Sequence, residues 1–216
     1  MHIPDGFIAP QVYVPSYAVA GGLWAYGARR LRRALREETV PQLAVLTGLA
    51  FVLSMIAVPL PGGTSVHATG IGLLAVLFGV WTSFLAVSLV LLLQALLFGM
   101  GGITSLPVNA LAMGFVGSAA GYGLFRALRR ANEKAALFAA GWIAVAVPAV
   151  VVGLVLGAQP HLAHRADGTP LFFPFGWKIT LPAVVLPHLV VGVGEGILTV
   201  LVVRFVARRE KRRGPA

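Results

Sequence analysis

The sequence predicts an all-α polytopic membrane protein with about seven transmembrane helices, and three observations carry that prediction. The chain of 216 residues is 58% hydrophobic and only 11% charged, with a mean hydropathy of +0.87, far more apolar than an ordinary soluble domain. Apolar runs recur from about residue 12 to residue 206 without a polar segment long enough to fold alone, so residues 1–216 read as one transmembrane domain. Every Lys and Arg except Arg165 and Lys178 lies in one of three clusters, 29–36, 126–134 and 204–213, each abutting an apolar run. That is the pattern of cytoplasmic loops in a cell membrane protein. The net charge of +10 is therefore an orientation signal, not a nucleic-acid-binding face. The absence of cysteine excludes disulfides, thiolate metal sites and cysteine nucleophiles. No basic region precedes the first apolar run, so no cleavable signal peptide is expected, and His2 is too large to favour removal of Met1.

The elements follow in order. A first helix, 12–28, ends at the first basic cluster, which places residues 1–11 outside. A stripe of small residues from Ala18 to Ala28 suits it either to packing in the bundle or to docking a partner subunit. A second helix, 41–58, opens on Pro41, which fits a first helical turn, and returns to the outside. It gives way to a breaker cluster and an outer loop, 59–69, that carries His67. The uncharged run 70–98 is longer than the roughly 20 residues of one spanning helix and shorter than two. Parity decides it: one pass would put the second and third basic clusters outside, whereas two shortened passes turning near residues 79–83 put all three inside. The loop 99–105 then lies outside, with Met100 in it and Asn109 near the start of a fifth helix. A sixth helix, 135–157, an outer loop, 158–177, and a seventh helix, 178–206, complete the bundle. Residues 207–216 form a basic cytoplasmic tail.

Few residues here can carry chemistry. An amino terminus followed at once by histidine offers one metal ion three nitrogens in two fused chelate rings: the Met1 amine, the His2 amide and the His2 imidazole. Ni(II) and Cu(II) favour such a square plane, and one more imidazole would close it. The alternative is a histidine at position 2 by chance. His67 shares the outer face with this chelate, as a fourth ligand or as a solvated loop residue. His161 and His164, in HLAH, have no evident third partner and read as a solvated loop. Within the seventh helix, Glu195 is an intramembrane carboxylate, which is a functional candidate, yet its flanking glycines equally suit close packing. Together with His188 it could instead form the proton relay of a stand-alone metal transporter. No P-loop, HExxH or GxSxG motif is present, which leaves ATP hydrolysis and the corresponding hydrolase chemistries without a foothold.

Four blocks, MHIPDGF, SVHATGIGLLAVLFG, LLLQALLFGMGGITSLPVNALAMG and PHLVVGVGEGILT, resemble in that order the CbiM/NikM family. These are the substrate-binding membrane subunits of energy-coupling factor transporters for cobalt and nickel. The resemblance spans almost the whole chain and implies seven helices. It implies a metal site made of the Met1 amine, the amide and imidazole of His2, and His67, with Ni(II) or Co(II) as transported substrate and no cofactor. It implies, too, a transmembrane coupling subunit, a pair of cytoplasmic ATPases and a small accessory membrane subunit as partners. Where many members carry a histidine before the double glycine, this chain has Met100. Met100 and Asn109 are candidates for supporting the site; Glu195 and His188 are candidates for coupling or packing.

Overall fold

The structure, a computed structural model of the chain, describes all residues except Met1, 35–36, 57, 60–64 and 214–216. Regular structure among the described residues is helical apart from one minimal hairpin and one isolated bridge, and its helices run past the expected limits. Helix α1 spans Pro10–Ala34 and α2 spans Val40–Met55, with Pro41 in its first turn. α6 covers Glu133–Leu162 and α7 covers Trp177–Arg213. The basic tail is therefore helical through Arg213. The reason is physical: hydropathy marks where lipid ends, while Arg and Lys are good helix formers that continue a helix into water. Among the described residues, four helices are long and apolar enough to cross a membrane, Ile71–Phe98, Leu106–Leu128, Glu133–Leu162 and Trp177–Arg209, and Val40–Met55 is a shorter apolar one.

Helix α3, Ile71–Phe98, is broken at Gly79, whose φ of 79° and ψ of 171° lie outside the helical region. Only glycine adopts such a conformation without strain. The chain reverses there, since the Ser83 hydroxyl approaches the Ile71 carbonyl at 3.5 Å, and residues 12 apart on a straight helix would lie about 18 Å apart. The turn falls where the sequence expects one, but its limbs are unequal. Residues 71–78 rise about 12 Å and residues 80–98 about 28 Å. Trp81, just past the turn, stacks edge-on against Tyr26 at 4.6 Å, so the reversal lies at the level where α1 meets its basic cluster.

Two strands, β1 (Val58–Pro59) and β2 (Ser65–Val66), pair antiparallel with Val58 opposite Val66. This short ladder departs from a purely helical fold and fixes the exit of the loop immediately before His67. After α3, a four-residue α4, Leu106–Asn109, runs through a π-helical stretch, Ala110–Gly117, into α5, Ser118–Leu128. α6 opens on Asn132, whose side chain accepts from the Ala135 N–H at 3.1 Å, an N-cap that satisfies one of the helix's free donors. α6 and α7 form the most extensive helix pair. Trp142 Nε1 donates to the Leu189 carbonyl at 3.0 Å and Trp177 Nε1 to the Leu154 carbonyl at 2.9 Å, fastening the pair at two levels.

The core contains side chains that are not on helices at all. Ile3 and Ile8 are fully buried, in one cluster with Ile71, Leu74, Phe84 and Met113. Residues 2–9 therefore plug the bundle instead of trailing from it. Each isoleucine so removed from water contributes about 1.5–3 kcal/mol.

Candidate metal centre

Burying non-helical backbone requires partners for its N–H and C=O groups, and helix side chains provide them. The Ile3 N–H donates to Asn109 Oδ1 at 3.0 Å while Asn109 Nδ2 donates back to the Ile3 carbonyl at 3.0 Å. The Asn109 amide thus acts as a strand neighbour would. The Ser105 hydroxyl donates to the same carbonyl. The Asp5 carboxylate accepts from the backbone N–H groups of Ile103 at 3.1 Å and Thr104 at 2.8 Å. Gly102 is required beside it, because a Cβ there would collide with Asp5. Burial works against the Asp5 charge, yet the hydrogen bonds from Thr104 and Ile103 hold its carboxyl below the ordinary value. Farther along, the Ala9 N–H donates to Gln159 Oε1 at 2.8 Å. Residues 2–9 are thereby fastened to the 101–105 loop, α4 and α6.

This clamp sets His2 against His67. Their rings stack at 4.6 Å with planes 16° apart, and His67 is only 3% exposed. Among the described residues, Nε2 of His2 and both ring nitrogens of His67 are buried without a hydrogen-bond partner. Burial pushes the His67 imidazole down to about 3 and the His2 imidazole well below its ordinary value, with His67 and His188 adding to the effect on His2. Two imidazoles are thus kept neutral, with Nε2 of His2 and both nitrogens of His67 left without a protein partner, and neutral imidazole is the form that binds a metal. Among the described residues no three His, Cys, Asp or Glu side chains group as a metal cage, so a tetragonal site here needs main-chain nitrogens. Met1, the expected source of one, lies outside the described residues.

The other expected residues fall into place around this pair or away from it. Glu195, 1% exposed, accepts from the Thr69 N–H, from the Thr69 hydroxyl at 2.8 Å and from the Gly70 N–H at 3.1 Å. It therefore holds the backbone just ahead of α3 and ties the His67 loop to α7. His188, one turn-pair away on the same face of α7, is 4% exposed. Its Nδ1 is 2.7 Å from the Val184 carbonyl, which fixes the proton there and leaves Nε2, buried and unpartnered, as a lone pair. Met100 is half-buried, and its N–H donates to the Gln94 carbonyl at 3.1 Å, ending α3. His161 stacks on Trp177 at 5.0 Å and His164 is exposed; the HLAH pair is not brought to the site. Sequence reasoning missed Ser105, Thr69, Asp5, Gln159 and Gln94. The signal for Gln94 was available, since a polar side chain inside an apolar spanning run is costly without a partner.

Comparison with known proteins agrees with this architecture. A family model, CbiM, described as the cobalt uptake substrate-specific transmembrane region, matches residues 2–213. A probable fused nickel transport protein of Lactiplantibacillus plantarum, LarMN, is 40% identical over 96% of this chain and 65% of its own length. The fused nickel transport protein NikMN of Rhodobacter capsulatus is 36% identical over 100% of this chain and 66% of its own. The chain thus spans about two thirds of the length of these fused relatives. A putative cobalt transport protein CbiM of Archaeoglobus fulgidus is 37% identical over 95% of this chain and 94% of its own. The fold matches the crystal structure of a truncated transition metal transporter with a TM-score of 0.92 at 36% identity, covering 97% of this chain and 99% of that one. A multi-pass membrane protein with a plugged bundle and paired free imidazoles, matched almost end to end, this chain belongs to the CbiM family of cobalt uptake substrate-specific transmembrane regions.

Proposed function

We propose that the chain captures Ni(II) or Co(II) at the outer face of the cell membrane, as the substrate-binding subunit of an ATP-driven importer. The observation that carries this reading is the stacked pair of buried, unpartnered imidazoles, His2 and His67, beside an amino-terminal segment whose backbone is locked by Asn109. The Met1 amine, the deprotonated His2 amide and His2 Nδ1 make two fused rings in one plane. Nδ1 is the nitrogen that closes a six-membered ring with its own amide; Nε2 cannot reach. His67 supplies the fourth nitrogen. The set suits d⁸ Ni(II) in a square plane, while nitrogen ligation also accepts Co(II). Both cobalt and nickel transport proteins stand among the relatives.

In this reading the amino terminus is outside and the carboxy terminus cytoplasmic, and the two limbs of α3 count as separate passes in a total of seven. Asn109 and the Met100 loop support the site without ligating. The sequence has no P-loop of its own, and the family resemblance indicates a coupling subunit, a pair of ATPases and a small accessory membrane subunit as the source of energy. The testing experiment alters only the amino terminus. Even one residue placed ahead of Met1 makes His2 third in the chain, and an X-X-His sequence fills four in-plane positions without His67. Import by the assembled transporter, and the visible spectrum of the Ni(II)-loaded chain, should change with this extension and not with a carboxy-terminal tag. Normal import and an unchanged spectrum would place the site elsewhere.

A further inference from the structure

Four arginines share one local design. Arg30 lies over the ring of Tyr26, Arg126 over Tyr122, Arg129 over Phe125 and Arg209 over Phe205, with the guanidinium carbon 5.6, 5.9, 6.0 and 4.9 Å from the ring centre in turn. In each pair the aromatic residue precedes the arginine by four, the spacing that puts two side chains on one helix face. The helices that carry them all start near the clamped segment 2–9. α1 follows it directly, α5 continues from Asn109, which holds Ile3, and α7 begins at Trp177, which reaches the stretch of α6 leading to Gln159, the partner of Ala9. Each then runs away from the clamp and ends in its arginines, at the helix pole that favours cations. The four arginines are exposed, and among the described residues none of them has a carboxylate partner. In the sequence only Glu37, Glu38, Glu133 and Glu210 lie in or beside the three basic clusters. Stacking occupies the flat face of a guanidinium and leaves its in-plane N–H donors free, and that edge is the one that pairs with phosphate.

We propose that these aromatic–arginine pairs bind the headgroup phosphates of anionic phospholipids at the membrane face away from the clamp. Tyr26 and Phe205 are 45% and 57% exposed, and an exposed aromatic ring with a cation beside it suits the level where acyl chains give way to headgroups. The distribution of the pairs favours lipid over a docked protein. α1 packs chiefly on α3, α5 on α6 and α3, and α7 on α6, so the three helices are not one another's main neighbours. A protein partner reads a contiguous patch, whereas the lipid shell delivers a separate headgroup to each helix. A zwitterionic headgroup offers the same phosphate but brings its own cation, which the neighbouring arginines oppose. The selected lipid is therefore anionic.

The test uses the full chain reconstituted in phosphatidylcholine bilayers that carry a trace of spin-labelled phosphatidylglycerol or spin-labelled phosphatidylcholine. Electron paramagnetic resonance reads the fraction of each label immobilised at the protein, and the ratio of the two association constants is the selectivity. The wild-type chain is expected to favour the anionic label about two- to fivefold. Replacing all four arginines by glutamine, Arg30→Gln, Arg126→Gln, Arg129→Gln and Arg209→Gln, should bring the ratio close to one. Lysine at the same four positions keeps the charge but loses the stacked planar fork, and should give an intermediate ratio. Arg165→Gln with Lys178→Gln, outside the three clusters, should leave the ratio unchanged. Should the fourfold variants fold poorly, Arg126→Gln with Arg129→Gln alone is expected to lower the ratio, and no change there overturns the proposal. A wild-type ratio of one also overturns it and leaves the arginines to a protein partner. Lysine variants equal to wild type would show that diffuse charge selects the lipid, and an equal loss in the Arg165 and Lys178 control would assign the selectivity to net charge. Either result removes the pairs as sites.

Discussion

Two of the irregular stretches beside histidines, one before α1 and one between α6 and α7, have opposite fates. Residues 2–9 are pinned by Asn109, Ser105, Asp5 and Gln159 and bury Ile3 and Ile8 completely. The stretch from the last turn of α6 to the start of α7 holds two histidines at a ligand-like spacing, yet the helical His161 stacks on Trp177 and His164 in the loop is exposed, with its Nδ1 at 3.1 Å from the neighbouring Arg165 carbonyl. Its local order comes from a bridge between His164 and Pro170 and from turns within the loop. Histidine content does not separate the two. What separates them is whether the backbone beside the histidine is satisfied by side chains from the bundle, because only then can imidazoles be desolvated and left without partners.

The largest effect that would break this contrast concerns the histidines themselves. His67→Ala removes a proposed ligand and should weaken Ni(II) binding by more than the roughly 100-fold that loss of a ligand's outer partner can cost. His161→Ala and His164→Ala, made together, should leave affinity within about twofold. Isothermal titration of the three proteins measures the difference, and equal losses would erase the distinction between the two stretches.

A smaller effect is expected from the clamp. Asn109→Ala strips partners from the Ile3 N–H and weakens the hold on its carbonyl inside the core, at a cost of about 1–3 kcal/mol. Because Ile3 follows His2 directly, the loss should register both as a lower melting temperature and as about 10–100-fold weaker metal binding. A variant that melts normally and binds normally would show that the amino-terminal segment is held by apolar burial alone.

Much of the scaffold was legible and much of the site was not, and the reason lies in what membrane sequences encode. The basic clusters predict a direction for each helix, and the break at Gly79 falls within the turn that their parity predicts. Periodicity could not say which faces of the helices meet, because in lipid both the core-facing and the lipid-facing sides are apolar. Glu195 stood out as a buried carboxylate, but its partners Thr69 and Gly70 lie more than a hundred residues away and look like any loop. The reciprocal pairing of Asn109 with Ile3 was invisible for another reason: one of its halves is backbone, on which sequence is silent.

The dependence on pH sharpens the contrast further. The sequence alone predicts metal affinity falling through an amine pKa of about 7.7–8.0 and again near an imidazole pKa of about 6.5. Burial changes the second step. With the His67 imidazole pushed down to about 3 and that of His2 also well below its ordinary value, both are already neutral at pH 6.5. The loss near 6.5 should therefore be missing, leaving the amine as the competing proton site. Stability has the opposite sensitivity. Unfolded histidines take up protons near 6.5 while the folded ones do not, so the unfolded state binds more protons and stability rises with pH in this range. The metal-free protein should lose stability as pH falls below about 6.5, continuing toward 3 for His67, and the slope should shrink in His67→Gln. A melting temperature flat between pH 6.5 and 4 would mean that these imidazoles are hydrated.

The smallest effect is expected at Glu195, which touches the site only through the loop it holds. Its Oε1 accepts from Thr69 and Gly70, whereas Oε2 has only a second, longer contact at 3.2 Å to the Gly70 N–H. Glu195→Gln keeps an oxygen where most of these bonds converge and replaces the less-used one, so the tether to Thr69 and Gly70 should survive in weakened, neutral form. Metal affinity should change by less than about tenfold and the melting temperature should drop slightly, while Glu195→Leu, which leaves the Thr69 and Gly70 donors buried and unpaired, should lower both markedly. The graded pair distinguishes a tether from a proton carrier. A tether tolerates the amide and fails with leucine, whereas a relay through Glu195 and His188 fails with either, because glutamine carries no exchangeable charge. Uptake lost completely in Glu195→Gln, with binding intact and the protein stably folded, would move Glu195 from the scaffold of the His67 loop into the transport step itself.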